Sequence, residues 1–169
     1  IHLPLSKIFR IRLNGATRCP ERRQDQSVSM WNYFLNRDQR RKRALKNATS
    51  EIMRDFLATE VPPDNARWDD VEIVSLDFET TGLNPQTDQI LSYGKVHIKG
   101  GVIKLSSARH ELIRSDKPIP EASAIIHQIT DDQVTNGRPI AQVLPELLEY
   151  LSGKVMLVHY NKIEQGFLN

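Results

Sequence analysis

The stretch Val71–Leu83, VEIVSLDFETTGL, constrains this chain more than any other. Apolar residues at Val71, Ile73, Val74, Leu76 and Phe78 give it strand character, and Thr80, Thr81 and Gly82 close it with a polar turn. Side chains alternate across a strand with period two, so Asp77 and Glu79 point to one side and their carboxylates converge. Like charges held this close repel in a partly buried site unless a cation neutralises them. Oxygen donors of this hardness suit Mg²⁺ or Mn²⁺. The plain alternative is a strand end at which both acids are merely solvated.

Two further stretches bear on that choice: Ile125–Thr130, IIHQIT, and Leu157–Leu168, LVHYNKIEQGFL. In this order, DFETTGL, IIHQIT and LVHYNKIEQGFL resemble the signatures of the DEDD exonucleases, the family of RNase T and of the proofreading epsilon subunit of bacterial DNA polymerase III. The resemblance covers about residues 71–169 and implies a ribonuclease H-like α/β fold, a mixed sheet flanked by helices. It also implies that Asp77, Glu79 and Glu164 bind two Mg²⁺ or Mn²⁺ ions. By the same likeness Thr80, Thr81, Gly82 and Leu83 contact the terminal nucleotide, His127 lies beside it, and His159 joins the substrate-binding set. The implied activity is 3′–5′ exonuclease action on single-stranded DNA, releasing nucleoside 5′-monophosphates in proofreading or repair.

The chain departs from the pattern in places. Glu164 stands where most members have Asp, adding one methylene at a position where an ångström matters to metal geometry. Tyr160 stands where Asn is usual, and Ile163 where Phe is usual. Glu121 is an acid of the kind that approaches the 3′ end in relatives, but its spacing to His127 is one residue too long. A fourth metal-binding Asp, with the His or Tyr that acts on the attacking water, would lie beyond Asn169, so the C-terminal part of the fold is expected to be missing. Two alternatives remain: a 3′–5′ exoribonuclease, and a catalytically incomplete module that binds nucleic-acid ends or a partner.

The chain is 169 residues long with 39% hydrophobic content, enough for one domain with a core and a smaller addition. No apolar run approaches the roughly 18 residues a spanning helix needs. Ile1–Leu13 is broken by Pro4, Lys7, Arg10 and Arg12 and makes a poor secretory signal. The lone Cys19 fits a reducing cytoplasm. Charge is split: residues 1–70 carry 14 Lys and Arg against 9 Asp and Glu, whereas residues 71–169 carry 9 against 12. An acidic catalytic half and a basic leader that helps attract a polyanion fit that division, as does a basic surface that only keeps a helix soluble.

Residues 1–29 show no consistent period and read as a flexible leader, with Met30 a plausible natural start. Residues 30–60 carry Trp31, Phe34, Leu35, Leu45, Ile52, Met53, Phe56 and Leu57 at mostly helical steps, with a basic break at Arg37–Arg43, RDQRRKR. One or two amphipathic helices follow, docking on the exonuclease domain or on another subunit such as a polymerase. The basic run reads as a solvated face, with phosphates or an anionic membrane as the alternative contacts. Residues 61–70, with Pro62 and Pro63, form a linker, and Trp68 is expected to anchor it on the core.

Beyond the first strand, the pattern predicts strands near Ile90–Ile98, Val102–Leu105 and Arg109–Arg114, then a short helix from Glu121 delivering His127. Thr130 should cap a helix, and Pro139 should open a longer one whose Val143, Leu144, Leu147, Leu148 and Leu151 are core. Val155–Val158 reads as a buried strand too apolar for a sheet edge.

Overall fold

Asn36 opens the first helix: its side chain accepts from the Gln39 backbone N–H and the Gln39 side chain accepts from the Asn36 N–H, each at 2.9 Å, a reciprocal capping box. The computed structural model describes residues 36–168. The expected leader, the start at Met30 and the apolar residues Trp31, Phe34 and Leu35 lie outside the described residues. Helix α1 (Arg37–Asn47) is built from the basic run that was expected to interrupt the helical pattern. Arg, Lys and Gln lose little side-chain freedom in a helix, so polarity alone does not break one. The true break is Ala48–Ser50, where Ser50 caps α2 (Glu51–Ala58) by accepting from the Met53 N–H.

Two members of the basic run are used inside the fold. Arg41 donates to the carbonyls of Leu57 and Thr59 at the end of α2. Arg37 donates to the Pro62 carbonyl at 2.7 Å and pairs with Asp64 at 2.9 Å, holding the proline stretch to α1. Cations at a helix C-terminus satisfy carbonyls that have no partner within the helix.

The sheet follows. Strands β1 (Ile73–Thr80), β2 (Ile90–Lys99) and β3 (Val102–Leu112) form an antiparallel meander, and β4 (Val155–Leu157) pairs parallel to β1, giving the order β3-β2-β1-β4. Two expectations are corrected here. The strands anticipated at Val102–Leu105 and Arg109–Arg114 are one element that bulges: Lys95 pairs with Arg109 and His97 with Lys104, so residues 105–108 face a single residue of β2. Ser107 holds the bulge by accepting from the His97 N–H and donating to the Lys104 carbonyl, while Arg109 donates to the Ser106 and Ala108 carbonyls. The second correction concerns β4, which is an edge strand among the described residues despite its apolar sequence. Met156 alone of its three residues is fully buried, and Val155 and Leu157 are half-buried.

Between these strands and β4 lie α3 (Glu121–His127), α4 (Asp131–Thr135) and α5 (Ile140–Leu151), and α6 (Lys162–Phe167) comes last. Thr130 caps α4 through a box with Gln133. Val143, Leu147, Leu148 and Leu151 of α5 are buried with Val74, Leu76, Phe78, Tyr93 and Met156 of the sheet. Ala44, Phe56 and Leu57 join this same core, so α1 and α2 dock on the sheet domain. Each large apolar side chain so buried contributes roughly 1.5–3 kcal/mol. A smaller cluster of Leu91, Ile129 and Val134 seats α4 against the sheet. Trp68 departs from expectation: it is 64% exposed and rests its ring edge above Gly101 in the β2–β3 turn, where a Cβ would come within 2.9 Å of the indole.

Candidate active site

β1 delivers the first two carboxylates as the alternation requires. Val74, Leu76 and Phe78 go into the core, and Asp77 and Glu79 share the opposite face, Asp77 exposed and Glu79 half-buried. The ladder with β2 shifts register between Glu79 and Thr80, which ends the strand and starts the turn just past the acids.

That turn is internally satisfied. The Thr80 hydroxyl donates to the Gly82 carbonyl at 2.7 Å. Thr81 is buried; its hydroxyl accepts from the Gln89 N–H at 3.0 Å and donates to Asp88 at 3.3 Å. Asp88 also accepts from the Asn84 N–H at 2.8 Å and folds over Gly82, where a Cβ would lie 2.5 Å from its carboxylate. Ser123 of α3 donates to the Thr81 carbonyl at 2.8 Å and ties α3 to the turn. Both threonine hydroxyls thus build the loop that holds Leu83, which is 75% exposed. Thr81→Val is expected to lower stability by about 1–3 kcal/mol, because the Gln89 N–H is left in a half-buried place without an acceptor. Urea unfolding of the two proteins checks this; equal midpoints would mean the hydroxyl does not hold the turn.

Glu164 reaches the same face from α6, which packs against β1. It is 1% exposed, and its Oε2 has no hydrogen-bond partner among the described residues. Burial pushes its carboxyl above the usual carboxylate range. Its own backbone N–H and His159 act in the opposite sense, and the negative charge of Asp77 adds to the rise. Gly166 lets α6 sit close to the Asn84–Asp88 loop, since a Cβ there would be 3.0 Å from the Pro85 ring.

The expected residues are therefore placed unequally. Asp77, Glu164 and His159 are close enough to interact electrostatically, and Glu79 shares the strand face with Asp77. No group of three or more His, Cys, Asp or Glu forms a ready metal cluster among the described residues. His127 ends α3 and accepts the Ile129 N–H on Nδ1 at 3.1 Å, which puts its proton on Nε2; that nitrogen is buried without a partner. Glu121 is exposed at the first residue of the same helix. Asp88 and Ser123, the builders of the turn, were not singled out from the sequence. Asp88 had a signal, since an Asp closing Asn-Pro-Gln-Thr is a side chain that accepts locally from backbone N–H groups.

A buried carboxylate with an oxygen left over, beside a second carboxylate, is a place where a cation is favoured. Oxygen donors alone fit Mg²⁺ or Mn²⁺ and not a soft metal. Asp77 and Glu164, with Glu79 beside them, meet that chemical requirement.

The Exonuclease family model matches residues 74–169. DNA polymerase III PolC-type of Thermotoga maritima is 36% identical over 119 residues, covering 67% of this chain and 9% of the relative. The DNA polymerase III subunit epsilon of Treponema pallidum is 31% identical over 101 residues, covering 59% of this chain and 45% of the relative. The chain thus spans a small part of the polymerase and under half of the subunit. Among solved structures, E. coli exonuclease I in complex with a dA16 oligonucleotide superposes with a TM-score of 0.53 at 12% identity, over 58% of this chain and 23% of that one, a likeness of fold. No helix among the described residues is long and apolar enough to cross a membrane.

Proposed function

Because this chain belongs to the Exonuclease family, we propose that it serves a divalent-metal-dependent 3′–5′ exonuclease that releases nucleoside 5′-monophosphates from single-stranded DNA, working alongside a replicative polymerase. The observation that best supports it is the buried Glu164 carboxylate, with one oxygen unpartnered, beside the charge of Asp77. Asp77, Glu79 and Glu164 would hold two Mg²⁺ or Mn²⁺ ions. When bound, such ions supply Lewis-acid activation of water and neutralisation of charge on the leaving 3′ oxygen.

The chain's own groups do the rest. Leu83, exposed on a loop pinned by Thr81 and Asp88, wedges against the terminal base, while Thr80, Thr81 and Gly82 offer backbone to the terminal nucleotide. Their hydroxyls are committed to the loop, which leaves them the role of fixing its shape. His127, at the end of α3, lies beside the terminal nucleotide. His159, exposed beside Glu164, meets the strand from the α6 side.

The test is a 5′-labelled single-stranded DNA oligonucleotide incubated with Mg²⁺ or Mn²⁺, beside an RNA of matched sequence. Stepwise shortening from the 3′ end with monophosphate products is expected, faster on DNA. Shortening that persists in EDTA, or that starts at the 5′ end, sinks the proposal. Preference for RNA would make it an exoribonuclease. A second reading is a module that binds strand ends without cutting. Binding in that assay without any product would select it.

A further inference from the structure

Tyr160 is the residue near the carboxylates whose conformation is hardest to explain by packing. Its backbone φ is 55°, in the left-handed region. Gly or Asn adopts that backbone readily, but a bulky aromatic residue adopts it only at a cost in strain. A buried ring would offset the cost through packing; this one is 59% exposed. The Lys162 ammonium stands over it, 5.9 Å from the ring centroid. The chain therefore holds a strained, solvent-facing aromatic with a cation beside it.

The position matters. Ser75 of β1 pairs with Leu157 of β4, so the chain leaves β4 beside the part of β1 that carries Asp77, with Tyr160 three residues past that pair. Tyr160 directly follows His159, which interacts with Glu164, and its carbonyl accepts the Ile163 N–H at 3.1 Å. The loop that carries exposed Leu83 touches α6 through Pro85 and Gly166. Two large side chains are thus exposed around α6, Leu83 on the loop that touches its C-terminal end and Tyr160 just before its first turn, on the His159 side of the carboxylates.

We infer that Tyr160 and Lys162 form a nucleotide subsite on that side, the ring stacking on a base of the bound single strand and the ammonium meeting an adjoining phosphate. The inference rests on the nuclease reading of the carboxylates. An exposed aromatic face beside a cation is the pairing by which single strands are held without sequence preference. Neither side chain touches the reacting atoms, so both set affinity and not the rate of bond cleavage.

The experiment uses the full chain and four variants: Tyr160→Asn, Tyr160→Phe, Lys162→Ala and Asp77→Ala. A fluorescein-labelled oligothymidine is titrated in EDTA and followed by anisotropy, and cleavage with Mn²⁺ is measured in parallel. Tyr160→Asn is expected to weaken binding about tenfold and raise KM alike, with kcat little changed and thermal stability equal or higher as the backbone strain is relieved. Tyr160→Phe should bind as wild type does, and Lys162→Ala should bind more weakly with a shallower salt dependence. Wild-type affinity in Tyr160→Asn, with metal-dependent cleavage intact and lost in Asp77→Ala, would overturn the subsite and leave the nuclease standing. Absence of both binding and cleavage in wild type would remove the nuclease reading and the subsite together.

Discussion

Asp77→Asn is expected to cut metal-dependent exonuclease activity by at least about a thousandfold while leaving the fold intact. Asp77 faces away from the core, between buried Leu76 and Phe78, so the substitution disturbs no packing. Its carboxylate is the group that β1 presents toward Glu164, and an amide there offers a cation one neutral oxygen in place of a charged one. The same change removes a negative charge from beside a buried carboxylate, so the ion-free variant should melt no lower than wild type and slightly above it. Initial rates on a labelled oligonucleotide and thermal melts in EDTA are the two measurements. A variant that cuts within tenfold of wild type would remove Asp77 from the metal site. A variant that is inactive because it melts well below wild type would say instead that Asp77 is structural.

The placement of Asp77 was legible because a two-residue period is unambiguous when alternate positions are Val, Leu and Phe. For the same reason the leucines of α5 were readable as core. The family likeness supplied what period could not, namely that the sheet is mixed and that Glu164, in the helix after β4, lies near enough to Asp77 to feel its charge. What failed was of another kind. The run RDQRRKR was read as a break because its side chains are polar, yet backbone propensity and the Asn36 cap make it helical, and Arg37 and Arg41 are consumed by carbonyls of the next segment. Such side-chain-to-backbone bonds join residues 16 to 25 positions apart and leave no local pattern.

The region between Val102 and Arg114 shows the same limit more finely. Two strands were expected, Val102–Leu105 and Arg109–Arg114, and the ladder does lapse at residues 105–108 between them. The chain stays extended through the lapse because Ser107 and Arg109 satisfy the freed backbone groups. At the turn after β1, Thr80 and Thr81 were read as ligand contacts by likeness. Their hydroxyls turn out to be spent on Gly82, Gln89 and Asp88, a division of labour that depends on where the 84–88 loop folds back. Glu164 was placed at the site by likeness alone, and neither its burial nor its unpartnered oxygen follows from a Glu in a short polar helix.

That burial sets up the second large effect. The folded carboxyl of Glu164 is raised above its ordinary value, by desolvation first and by the charge of Asp77 after the opposing pull of its own backbone N–H, with His159 also opposing. A group whose folded pKa lies above its unfolded one contributes stability that is fully present below the unfolded carboxyl pKa. That contribution is lost as pH rises through the raised folded value. The ion-free protein should therefore lose stability as pH rises from the ordinary carboxylate range upward, because ionising Glu164 places a charge in a desolvated site beside Asp77. Glu164→Gln keeps the shape and removes the charge, so in EDTA at pH 7 it should be more stable than wild type by about 1–3 kcal/mol and show a flatter pH profile. Millimolar Mn²⁺ should raise the melting temperature of wild type and leave the variant nearly unmoved, because only the wild type offers the ion that carboxylate. Activity should fall at least about a hundredfold. Stability and activity then move in opposite directions from one substitution, as expected where a site carries unpaired charge in order to bind an ion. Were Glu164→Gln to melt below wild type in EDTA at neutral pH, the buried carboxylate would have a partner within the protein, and Glu164 would be structural and not a metal ligand.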